Sequence, residues 1–88
     1  MTDMTPPPMV DWHVTVDAPF LPAPYDSDVE ARTEVEAKVR GAEHAVSAAE
    51  ADERFKFPRQ WETASREQRV TDAAGYAVAS RRSRSPSV

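Results

Sequence analysis

His13 stands between Asp11 and Thr15, with Asp17 four residues on, in a stretch that alternates polar and apolar residues. On a strand, residues two apart share a face, so these four side chains project together. A carboxylate beside an imidazole is the pairing that polarises a histidine or begins a metal site. Three or four ligands are needed for a metal, however, and the other histidine, His44, falls on a different element beside Glu43. A solvated polar strand face accounts for the same residues with nothing added.

The rest of the catalytic inventory is thin. The absence of cysteine removes thiolate nucleophiles, zinc–thiolate sites and disulfides. The only glycines, Gly41 and Gly75, are too far apart for a phosphate-cradling loop, and no serine sits in a nucleophile elbow. We expect a non-enzyme with no catalytic, cofactor-binding or metal-binding residues and no small-molecule substrate.

A second chemistry is cationic. Arg81, Arg82 and Arg84 cluster near the C-terminus, and Arg54, Lys56, Arg59, Arg66 and Arg69 surround Phe55, Phe57 and Trp61. Basic residues among aromatics can neutralise phosphates and stack bases. Residues 1–53, by contrast, hold 12 acidic against 3 basic side chains, a net −9, while 54–88 hold 3 against 8, a net +5. The acidic part would repel a polyanion; the two parts are suited to pair with each other, within one molecule or between copies.

These side chains must be carried by elements readable from pattern. Residues 1–8 form a proline-rich polar start. Residues 9–17 are the clearest strand, with Val10, Trp12, Val14 and Val16 on one face. No second alternating run or hairpin dipeptide stands out, so this strand reads as an extended arm without a mate in its own chain. Pro19, Pro22 and Pro24 then make residues 18–25 a stiff connector, greasy because of Phe20 and Leu21. Ser27-Asp-Val-Glu30 reads as a capping box opening a long helix over about 28–54, supported by Glu34–Lys38, Glu36–Arg40 and Glu50–Arg54 spacings. Its apolar stripe is Val35, Val39, Ala42, Val46 and Ala49, with Gly41 a weak point where a bend can form.

Pro58 ends that helix in an aromatic elbow of Phe55, Phe57 and Trp61. Ser65-Arg-Glu-Gln68 is a second capping box within a second helix over about 62–80, whose buried side carries Val70, Ala73, Ala74, Ala77 and Val78 and which Gly75 weakens. Residues 81–88 read as a basic, serine-rich disordered tail. The division is thus an arm and connector at 1–26, a two-helix segment at 27–80 and the tail.

Leu, Ile, Val and Phe supply only 14 of 88 residues, below the roughly one-fifth at which a chain struggles to build its own core. The expected fold is mainly α, elongated and completed by neighbours. No apolar run could cross a bilayer, and the N-terminus lacks a signal-peptide pattern, so synthesis in the cytoplasm and no membrane partner are expected. Arginine-over-lysine and alanine bias suggests a GC-rich genome of the kind found in actinobacteria and their phages. The reading that uses most features is a non-enzymatic interaction protein, an accessory or cementing subunit of a larger assembly such as a phage particle, binding that assembly or itself. Strand addition through Val10, Trp12, Val14 and Val16 would be joined by Phe20 and Leu21, the helix stripe of Val35, Val39 and Val46, and the anchors Phe55, Phe57 and Trp61. Its rivals are a small inhibitor or adaptor of a cytoplasmic host protein, and a nucleic-acid-binding protein using Arg81, Arg82 and Arg84.

Overall fold

The alternation over residues 10–16 does form a strand, and the chain supplies both of its neighbours. The computed structural model describes residues 8–82. Strand β1 (Val10–Val16) lies at the centre of a three-stranded antiparallel sheet, between β2 (Tyr25–Ala31) and β3 (Ala77–Arg81). Every residue of β1 has a partner in β2, from Val10 opposite Ala31 to Val16 opposite Tyr25. On the other side Trp12 to Val16 pair with Arg81 back to Ala77. Helices α1 (Glu34–Ala51), α2 (Arg59–Glu62) and α3 (Arg66–Ala74) separate β2 from β3, and the core lies between α1 and one face of the sheet.

This overturns the mainly-α, elongated reading: the protein is a compact α/β globule. Its N-terminal strand is no arm, and with ladders on both sides β1 offers no backbone to an outside sheet. Proline-rich residues 17–24 are the β1–β2 connection. Within it Ala18, Phe20 and Leu21 are buried, and the Leu21 N–H donates to the Ala18 carbonyl at 3.0 Å. The greasy segment covers its own core.

Ser27 to Ala31, read from the sequence as a cap and the start of a helix, pair with β1 instead, together with Tyr25 and Asp26. Tyr25, Ser27, Val29 and Ala31 alternate with Asp26, Asp28 and Glu30, so strand geometry sends the acidic residues to solvent and buries Val29 and Ala31. The seven-residue register satisfies far more backbone than a cap at Ser27 would. Helix α1 therefore starts later, with Thr33 as N-cap: its Oγ1 accepts from the Glu36 N–H at 3.1 Å. It also ends at Ala51, so the expected helix over 28–54 becomes 18 residues.

The stripe is rotated as well. Ala37, Gly41, Ala42, Ala45, Val46 and Ala49 are buried, while Val35 and Val39 are exposed. Gly41 is a point of close approach and makes no bend: a Cβ there would stand 2.3 Å from Val14 Cγ1. Small residues let α1 settle on the sheet closely enough for an alanine- and valine-rich core to close. Insufficient bulk is thus met by short interlayer distance.

The expected second helix over 62–80 divides. Ser65 caps α3, its Oγ accepting from the Gln68 N–H at 3.1 Å, and α3 stops at Ala74 beside Gly75. Ala77, Val78, Ala79 and Ser80 then continue as β3, because the unsatisfied edge of β1 takes the alternating residues that follow the turn. Of the disordered tail expected over 81–88, Arg81 instead ends β3 and the Arg82 N–H is bonded to the Asp11 carbonyl, while residues 83 onward, Arg84 included, lie outside the described residues.

Candidate functional site

The outer face of the sheet carries the chemistry-bearing residues. His13 on β1 faces Asp28 on β2 across the ladder, and His13 Nδ1 lies 3.0 Å from Asp28 Oδ1. His13 Nε2 is 3.6 Å from Asp26 Oδ1, whose same oxygen accepts from Thr15 Oγ1 at 2.5 Å. Arg82 Nη1 reaches the other Asp28 oxygen at 3.0 Å. The His13 hydrogen bond, with the Arg82 and His13 charges behind it, holds the Asp28 carboxyl below its ordinary range. This belt ties β1 to β2 on their wet side, and β2 to Arg82, the residue that follows β3. Among the described residues, no group of three His, Cys, Asp or Glu side chains is placed to hold a metal ion.

The expected pairing of acidic and basic parts occurs inside the molecule. Arg66 Nε lies 3.2 Å from Glu50 Oε1 and also donates to Ser47 Oγ. Arg69, only 13% exposed, reaches Glu50 Oε2 at 3.2 Å and gives hydrogen bonds to the Trp61 and Glu62 carbonyls at 2.8 and 2.9 Å. Its guanidinium sits 4.0 Å from the centre of the Phe57 ring, a cation–π contact. Trp61 in turn stacks on Phe20 with centroids 4.3 Å apart, and Phe55 meets Phe57 edge-on at 5.0 Å. The aromatic elbow is therefore a clamp holding α2 and α3 to α1 and the β1–β2 connection. The Glu34–Lys38 and Glu36–Arg40 pairs form along α1, whereas Glu50 turns to α3 and away from Arg54.

Most residues expected to bind a partner are used internally. Trp12, Val14, Val16, Phe20, Leu21 and Val46 are buried, and Val10, Phe55, Phe57 and Trp61 pack partly buried against them. The Trp12 indole N–H donates to the Ala31 carbonyl at 3.1 Å, which satisfies its one polar atom. Arg81 borders an open cleft of about 360 Å³ with Arg32 and Trp12, but the Trp12 ring lies in the core and offers no stacking face.

What stays exposed is concentrated elsewhere. Val35 and Val39 are 71% and 38% accessible, and Tyr76, in the turn before β3, and Val78, within β3, are 50% and 65% accessible. Val39, Val46 and Glu50 follow one another at spacings of seven and four, so they share a line along α1. Glu50 on that line faces α3, which places Val35 and Val39 on the flank of α1 toward α3 and β3. Tyr76 was passed over in the sequence, and Val78 was assigned to a buried helix side. The available signal was the run Ala77, Val78, Ala79, Ser80 two residues after a helix-ending glycine.

The two outer strands have different edges. Since the Arg82 N–H donates to the Asp11 carbonyl at 2.9 Å, the 82, 80 and 78 backbone groups point at β1 and those of Ala77, Ala79 and Arg81 point outward. On β2 the outward-pointing backbone belongs to Asp26, Asp28 and Glu30 by the same alternation. One edge is lined with carboxylates, the other with alanine, valine and serine and a single cation, Arg81. Compared with family models, curated proteins and solved structures, the chain matches none.

Proposed function

We propose that this is a non-enzymatic protein–protein interaction protein, one that docks on a larger assembly or on itself, and whose docking surface is the β3 edge. One observation carries the reading. Among the described residues, four of the five large exposed hydrophobic residues flank that edge from its two faces, Val35 and Val39 on the α1 side and Tyr76 and Val78 on the strand side. Concentrated apolar exposure marks interaction surfaces, and a free edge invites strand addition. The β2 edge carries the charged side chains that discourage such pairing. The pairing of Arg66 and Arg69 with Glu50 and of Arg82 with Asp28 weighs against the nucleic-acid reading, because ion-paired cations are less available to phosphates. Docking thus moves from β1, where the sequence alone placed it, to β3.

The test is photo-crosslinking in the organism's own cells, with a benzophenone amino acid at Val78 or at Asp26. Protein adducts at residue 78 and few at residue 26 are expected. Absence of adducts at 78, or equal capture at both positions, would refute the β3 surface.

A further inference from the structure

We infer that the occupant of the β3 edge is a second copy of this chain, paired β3 to β3 about a twofold axis through Ala79. This rests on the docking surface proposed above and names its partner. An antiparallel edge can pair with itself isologously, each residue meeting its symmetry mate's counterpart. Centred on Ala79, the outward groups of Ala77, Ala79 and Arg81 meet those of Arg81, Ala79 and Ala77 in the other copy. All outward donors and acceptors of the strand are then satisfied.

Charge selects this pairing over its rivals. Across the β3–β3 seam Ala77 faces Arg81 and Val78 faces Ser80, so no like charges stand directly opposite. Centred self-pairing of β2 would set Asp28 against Asp28 and Asp26 against Glu30, which is destabilising. It would also disturb the Asp28 contacts with His13 and Arg82. Only the β3 edge is self-complementary.

The apolar residues fit the same axis. A twofold perpendicular to the sheet leaves both helical layers on one side, so the Val35 and Val39 stripes of the two α1 helices turn toward each other above the seam. Val78 lies on the opposite face and packs beside its neighbour's Ser80 and Val78. Ala79, only half-buried despite facing the helical layer, occupies the gap that the two stripes would close. The dimer is a continuous six-stranded sheet with acidic β2 edges at both ends, and those ends stop further growth.

The experiment uses the full chain. Light scattering on the purified protein is expected to give twice the 9.8 kDa chain mass, falling toward monomer on dilution. Ala79→Pro deletes an outward N–H and leaves the β1–β3 ladder intact, so it should raise the dimer dissociation constant by about tenfold or more while the circular dichroism stays folded. Because the chain has no cysteine, a Val78→Cys/Ser80→Cys variant reports register directly: mild oxidation should yield a covalent dimer, and Asp26→Cys/Asp28→Cys should not. A folded protein that stays monomeric at every concentration and gives no such crosslink overturns the self-pairing. If that monomer still captures another protein through residue 78 in cells, the docking edge stands and only its occupant was wrong. If residue 78 captures nothing there, both ideas fall.

Discussion

Helix α1 is held on two sides by opposite means. Toward the sheet it presents Ala37, Gly41, Ala45 and Ala49, and the contact depends on having almost no side chain between helix and strand. Toward α3 it presents Glu50, and the contact is made by the long side chains of Arg66 and Arg69 with the Phe57 ring. The sheet side works by dispersion at short range and tolerates no added atom. The α3 side works through charge, hydrogen bonds and aromatic faces, where losing a group matters more than gaining one. A chain poor in large aliphatic residues can therefore close a core if its backbones come close and its few aromatics are clamped.

The comparison can be broken hardest at Gly41. Gly41→Ala should destabilise by about 3 kcal/mol, read as a lowered denaturant midpoint, although alanine is worth about 1 kcal/mol as a helix former. Combining it with Val14→Ala should recover part of that loss, since the two changes share one contact. Independent, additive losses would show that the close approach is not what holds the sheet side.

On the α3 side, Arg69→Ala should cost about 2 kcal/mol, because two carbonyls and Glu50 lose a charged donor and Phe57 loses its cation. Protection of α3 amides in hydrogen exchange should fall more than that of β1. Uniform loss across the molecule would mean that the clamp is not local.

Smaller still is the difference between the two caps. Thr33→Ala should cost about 1 kcal/mol. Ser27→Ala should be neutral or slightly stabilising, since the Ser27 hydroxyl is buried without a hydrogen-bond partner. Equal losses at both positions would contradict the placement of the helix start.

The smallest effect belongs to the wet face. A carboxyl whose folded pKa is depressed stabilises the protein above the ordinary carboxylate range, and that contribution disappears as pH falls through the depressed value. Asp28 is held low by His13 and Arg82, so Asp28→Asn should shallow the acid limb of the stability profile below about pH 4. An unchanged acid limb would remove the belt from the account.

Local pattern was enough for several features. Strand β1 was legible because its alternation is uninterrupted, and the Ser65 cap, the Glu34–Lys38 and Glu36–Arg40 pairs and the mutual attraction of the acidic and basic parts depend on spacing or net charge alone. Strand β2 was hidden by a competing local signal, since Ser27-x-x-Glu30 satisfies the rule for a helix start as well as the alternation of a strand. β3 was hidden by brevity: five residues of alanine, valine, serine and arginine suit a helix end as readily as a strand.

Among the twelve apolar residues expected at an interface, Val35 and Val39 are exposed and the others line or flank the core. By itself, then, the sequence determined where β1 runs, that Ser65 can cap a helix, which charges attract and that bulky side chains are scarce. Tertiary structure decided that β1 sits in the middle of a sheet, that Gly41 is a contact and not a flaw, and which apolar residues remain outside. The reason is that hydrogen-bond ladders and interlayer distance are set by segments far apart in the chain, and no short window of residues contains both partners.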